Sequence, residues 1–163
     1  MTFEDDLKRA DKYEQGLMQY AEYIEDVKEI KDVRDIKKFQ DKDIDFIILY
    51  KDGGFKLIEI KVDFFTTENF ILETISNVSY NTKGCILKSM SHEIWYFFPR
   101  LDKLYILNTK KLKDWIYKYK GKLTRCGDNA KGILIRRPEI WNDVKYKVKR
   151  IHLKWYMFIY INS

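Results

Sequence analysis

The sequence predicts an α/β (α+β) domain. Three observations carry that expectation: an apolar stripe at helical spacing through residues 3–26, two strand-like runs closing on Asp52-Gly53-Gly54, and a later succession of short β-branched and aromatic runs with one amphipathic helix among them. A chain of 163 residues has the length of one domain and can bury a proper core. Its composition, 45% hydrophobic and 16% aromatic, is globular rather than disordered. Residues 1–163 are therefore expected to form a single domain, with a basic portion at about 110–163.

Residues 3–26 read as a helix, with Leu7, Ala10, Tyr13, Leu17, Met18, Ala21 and Ile24 near one stripe. Thr2 can cap it, and Glu4, Asp5 and Asp6 suit the positive end of its dipole. Residues 27–35 read as a strand. The continuous apolar run 46–50 and the alternating run 55–62 then form a hairpin, because the glycine pair supplies the positive φ of a tight turn. Residues 68–77 read as a second helix capped by Thr66 or Thr67, and 85–87, 94–98 and 104–107 as strands, with a turn at 99–103. Residues 110–119 form an amphipathic helix bearing Leu112, Trp115 and Ile116. A basic, glycine-bearing loop follows at 121–132, then late strands or extended segments at 133–138 and 151–161.

The hairpin carries the chemistry. If residues 52–54 are a three-residue loop, Lys51 pairs with Phe55 and Asp45 falls opposite Lys61. Opposed residues share a face, so Asp45, Glu59 and Lys61 converge, whereas a one-residue slip would turn Asp45 to the other side. Two carboxylates with an ammonium can hold a divalent cation against a phosphodiester. The bland alternative is a solvated strand face. Acid-x-lysine triplets also occur at Asp6-Leu7-Lys8, Asp26-Val27-Lys28, Glu29-Ile30-Lys31, Asp35-Ile36-Lys37 and Asp143-Val144-Lys145, so the triplet alone says little in a chain that is 34% charged. Glu14 lies on or beside the apolar stripe, where a carboxylate needs a cation, a metal or a donor, or must reach back to water.

Charge is separated along the chain. Residues 1–45 carry 14 Asp and Glu against 9 Lys and Arg, and residues 110–155 carry 15 Lys and Arg against 4 Asp and Glu. That asymmetry points to a nucleic-acid partner, the alternative being a basic surface that serves only solubility. No apolar run approaches a membrane span and the N-terminus is acidic, so neither a transmembrane helix nor a secretory signal is expected, and an intracellular, cytoplasmic protein is. Cys85 and Cys126 lack zinc-site spacing and read as reduced thiols, and His92 and His152 are isolated. The aromatic stripe Trp155, Tyr156, Phe158 and Tyr160 reads as core or a dimer edge, with base stacking as the alternative.

The motif resembles the core of the PD-(D/E)XK nuclease superfamily, whose pattern is an acid on a helix, an Asp opening one strand, and Asp/Glu-x-Lys on the next. The matching residues are Glu14, Asp45, Glu59 and Lys61. The lead-in Gln40-Asp41-Lys42-Asp43-Ile44-Asp45 is similar to the strand entry of small phage and bacterial members, and Ile44 stands where a proline is common. The likeness spans roughly residues 3–117. It implies a restriction-endonuclease-like core, a central mixed β-sheet flanked by helices, and a nuclease that hydrolyses phosphodiesters, in DNA before RNA. Asp45, Glu59 and the Ile60 carbonyl would hold Mg²⁺ or Mn²⁺, Glu14 a second ion or its water, and Lys61 would orient water and stabilise the transition state. Glu73 would assist, or be an exposed helix glutamate. Lys83, Lys88, Lys122, Arg125, Lys131, Arg136 and Arg137 would contact the phosphate backbone. Family analogy also admits a two-fold homodimer. Two rivals stand beside this reading: a catalytically inactive nuclease fold that binds nucleic acid or regulates a partner, and an unrelated basic nucleic-acid-binding domain.

Overall fold

The computed structural model describes residues 3–67, 69–136, 144, 146–151 and 153. The elements in chain order are α1 (Phe3–Glu22), β1 (Val27–Asp32), α2 (Lys37–Gln40), β2 (Phe46–Tyr50), β3 (Phe55–Val62), β4 (Asn69–Asn77), β5 (Thr82–Lys83), α3 (Cys85–Lys88), β6 (Glu93–Phe98), β7 (Lys103–Asn108), α4 (Thr109–Lys118), β8 (Thr124–Arg125), β9 (Lys131–Arg136) and β10 (Tyr146–Arg150).

Among the described residues, six strands form a mixed sheet in the order β1-β2-β3-β6-β7-β10. Its β3–β6 pair is parallel and its other pairs are antiparallel. A second, antiparallel sheet has the order β5-β4-β9-β8. Alternation along β6 shows how the layers stack. Trp95 and Phe97 join Phe46, Ile48, Ile58 and Ile60 beneath Leu17, Met18 and Ala21 of α1. Ile94, Tyr96 and Phe98 face the opposite way, against Phe70, Leu72, Ile133 and Ile135 of the small sheet and Leu112 and Ile116 of α4. The unbroken run 94–98 is apolar because both of its faces are covered. The protein is thus a mixed α/β structure whose large sheet carries a helix on one side and a small sheet with helices on the other.

Several sequence expectations need correction. The first helix stops at Glu22, and the chain turns at Asp26, whose φ is 64°. The expected helix at 68–77 is β4, where Phe70, Leu72 and Thr74 alternate inward and pair with β9. Its period is two, and β-branched Ile71, Thr74 and Ile75 favour the pleat. The expected strand at 85–87 is the single turn α3, in which the Lys88 and Ser89 amides donate to the Gly84 and Cys85 carbonyls. Three apolar residues carry no usable period, and the turn forms where Gly84 passes close to the β4 backbone: a Cβ there would lie 2.5 Å from the Glu73 carbonyl oxygen. The basic loop contains the short β8, and the strand after it is Lys131–Arg136. The strand β10 is not among the sequence expectations, although Val144-Lys145-Tyr146-Lys147-Val148-Lys149 alternates with a strand's period, and most of the expected segment 151–161 lies outside the described residues, as do Thr2 and Arg137. Ile151 and Leu153 are buried in the α1-side core.

Candidate active site

The hairpin turns one residue earlier than the sequence suggests. The Gly53 amide donates to the Tyr50 carbonyl at 3.1 Å, and the Tyr50 amide donates to the Gly54 carbonyl at 2.9 Å. The three-residue loop is therefore Lys51-Asp52-Gly53, with Gly53 at φ 87° in the left-handed position such a loop requires. Asp52 Oδ1 closes it by accepting the Gly54 amide at 2.8 Å. Moving the loop by one residue moves the register by two: Phe46 pairs with Ile58, and the next step places Asp45 opposite Glu59, not Lys61. A two-residue shift preserves the face, so the three side chains still share one side of the sheet.

Asp45 is fixed by its own backbone. Its amide donates to the Ile58 carbonyl at 2.8 Å and its carbonyl accepts from Val33 at 3.0 Å. Oδ2 accepts the Ile60 amide at 2.6 Å, which leaves Oδ1 for another partner. Glu59 is only 3% exposed, and its Oε1 lies 2.6 Å from the Lys61 ammonium. The Lys61 side chain is 33% exposed, so the pair is buried at the acid and open at the cation.

The electrostatics of the cleft lean in one direction. Burial pushes the Asp45 carboxyl up to about 6, with the Ile60 amide and Lys61 opposing the rise. Burial likewise pushes Glu59 up to about 8, which Lys61 lowers and Asp45 raises. Burial disfavours the Lys61 ammonium, yet Glu59 together with Cys85 and Asp45 more than offsets it and the net shift is upward. Desolvation is the main cause of both upward carboxyl shifts, and Lys61 offsets it only in part.

Glu14, Arg34, Gln40, Asp43, Ile44, Asp45, Glu59, Ile60 and Lys61 line one cleft of about 250 Å³. Glu14 from α1 thus meets the hairpin trio. Its carboxylate is held at 3.0 Å by Arg34, which also pairs with Asp11 and Asp32 at 2.7 Å each. Asp32 first, then Glu14 and Asp11, keep Arg34 above its ordinary pKa despite desolvation. Glu73 lies on β4 and is not among the residues lining this cleft, and its carboxylate accepts the Cys85 amide at 3.4 Å.

Lys83, Lys122, Arg125, Lys131 and Arg136 are exposed, in or next to the strands of the small sheet. Lys88 reaches back to Asp43 at 3.3 Å. His92 has a structural role, its Nδ1 accepting the Leu57 amide at 3.0 Å. Both cysteines are free, and burial pushes the Cys85 thiol up to about 11.

Two cleft residues, Arg34 and Asp43, are not singled out by motif or spacing. For Arg34 the available signal is a lone arginine inside an acidic stretch with carboxylates on either side. Asp43 has φ 47°, a conformation Asp tolerates, and its Oδ2 is buried without a hydrogen-bond partner. The free Asp45 oxygen and the Glu59 carboxylate are hard donors suited to a divalent cation, and the orphaned Asp43 oxygen borders them. Among the described residues, no three His, Cys, Asp or Glu side chains are grouped to hold an ion. The chain would supply two carboxylates, leaving the remaining positions to waters and a phosphate, as Mg²⁺ commonly accepts.

Fold and cleft define a mixed α/β protein with an acid-lysine cleft where α1 meets the β2–β3 hairpin. No protein-family model, curated protein or solved structure matches the chain. No helix among the described residues is long and apolar enough to cross a membrane.

Proposed function

We propose that this protein is a metal-dependent nuclease of restriction-endonuclease-like fold that hydrolyses phosphodiester bonds, in DNA by preference. One observation supports this above the others: Glu14, Asp45, Glu59 and Lys61, from three separate parts of the chain, line a single cleft. The buried carboxyls in it have raised pKa values, as expected of groups that exchange protons for a cation.

Asp45 and Glu59 would hold the ion, and Asp43 borders them. When bound, Mg²⁺ or Mn²⁺ would offset charge on the scissile phosphate and ease deprotonation of water. The remaining work belongs to the chain. The Ile60 amide keeps one Asp45 oxygen turned, so the other faces the cleft. Arg34 holds Glu14 at the wall. Lys61 Nζ, already partly exposed, can leave Glu59 Oε1 for a phosphate oxygen and stabilise the charge that grows there.

DNA incubated with Mg²⁺, Mn²⁺ or EDTA tests this. We expect cleavage only with metal, lost in Lys61→Ala and Glu59→Gln while folding and DNA affinity persist. Cleavage by Lys61→Ala at the wild-type rate would refute the assignment. A second reading, a nuclease-like fold that binds nucleic acid without cutting it, draws on the lack of a three-residue ligand group among the described side chains. Mn²⁺ uptake by the wild type but not by Asp45→Asn decides against that reading.

A further inference from the structure

We propose that a cavity on α4, apart from the acid-lysine cleft, seats an unpaired base and its phosphate from single-stranded nucleic acid. The assignment names a substrate class for the nuclease reading and rests on it for its place in the chemistry.

The cavity is about 540 Å³ and is lined by Lys111, Asp114, Trp115, Lys118, Tyr119 and Lys120. Helical geometry builds it. Leu112 and Ile116 face the core, so the neighbouring stripe of residues 111, 115 and 118 runs along the boundary with solvent and sets a ring between two ammonium groups. Trp115 and Tyr119, four residues apart, stack with centroids 5.2 Å apart and planes 34° from parallel. Both are half-buried against the core, so the platform is held in place before any ligand arrives. Gly121 lies against the Tyr119 ring, where a Cβ would collide with the Tyr119 hydroxyl.

Among the described lining residues, three lysines against one aspartate give the rim a positive balance that suits a phosphate. The stacked pair suits a base, since every base has a π-face. A duplex keeps its bases stacked on each other and offers the rings nothing. That difference selects a single strand.

The measurement is fluorescence anisotropy in EDTA, so that binding is read whether or not the protein cuts. A labelled oligo-dT or oligo-U should bind about tenfold more tightly than an abasic strand of equal length or a duplex. The tighter of the two homopolymers tells DNA from RNA. Trp115→Leu, which keeps apolar bulk toward the core, should lose that tenfold preference and leave abasic affinity unchanged, with thermal melting verifying the fold. Lys118→Gln with Lys120→Gln should weaken both strands. Equal binding of abasic and base-bearing strands, or wild-type affinity in Trp115→Leu, overturns the proposal. Because EDTA removes any metal, this binding is read independently of cleavage. Binding without cleavage would therefore sink the nuclease reading alone, and cleavage with an indifferent Trp115→Leu would sink this one alone.

Discussion

Glu59 and Asp45 carry the proton chemistry that most directly exposes the cleft to measurement. Burial lifts Glu59 to about 8 and Asp45 to about 6, from ordinary values of 4.5 and 3.8. The folded protein therefore keeps protons that the unfolded chain has already released in that window. Stability without metal must fall as pH rises from about 4.5 to about 8, by roughly 1 kcal/mol per pH unit while Glu59 titrates. In EDTA, melting temperature should decline across this range and Glu59→Gln should flatten the decline. Mn²⁺ should restore more stability at pH 8 than at pH 5, because at pH 5 it competes with bound protons. An EDTA profile that is level from pH 5 to 8, or identical in Glu59→Gln, would show that these carboxyls are not held neutral by burial.

Two glycines at element boundaries show what secondary-structure patterns leave out. Gly53 sits at φ 87° with open space around its α-carbon, so Gly53→Ala meets only the left-handed penalty, about 1 kcal/mol. A Cβ on Gly84 would lie against the Glu73 carbonyl and the Thr74 backbone, which cannot rotate away, so Gly84→Ala must displace α3 from β4. Denaturant unfolding should rank Gly84→Ala as clearly more destabilising than Gly53→Ala, and the reverse order would mean that α3 is loosely seated. The same contrast explains what is legible in the sequence. The hairpin is legible because Phe46–Tyr50 and Phe55–Val62 flank a glycine pair, and the convergence of Asp45, Glu59 and Lys61 follows from their shared face, whereas the meeting with Glu14 is what the resemblance implies and the stripe alone leaves open. The register differs by two because either glycine can end the loop, and only the choice of Gly53 fixes it. β4 reads as a helix because a threonine cap precedes it and the resemblance implies a helix after the motif strand, while its partner β9 lies some sixty residues away, beyond local pattern. Asp43 and Arg34 gain their roles from tertiary neighbours, which spacing cannot supply.

Across the whole molecule the charge separation becomes spatial. The acidic N-terminal stretch builds α1, β1 and the wall of the cleft, and Lys83, Lys131 and Arg136 lie on the small sheet across the core. In the proposed nuclease, the exposed cations would hold a phosphate backbone while the carboxylates would hold the metal. Not every cation is equally free to bind. Arg125 donates to the carbonyls of Gly127 and Asp128 at 3.0 and 3.2 Å and so braces its own loop. Neutralising Lys83, Lys131 and Arg136 together should weaken DNA binding evenly across sequences. It should also make the plot of log affinity against log salt shallower by about 0.9 for each duplex phosphate that no longer has a cation beside it. Arg125→Gln should leave that slope unchanged and lower only the stability of the 121–132 loop, seen as faster proteolysis there. If Arg125→Gln alters the slope while the triple change does not, the DNA path crosses the loop and not the strands.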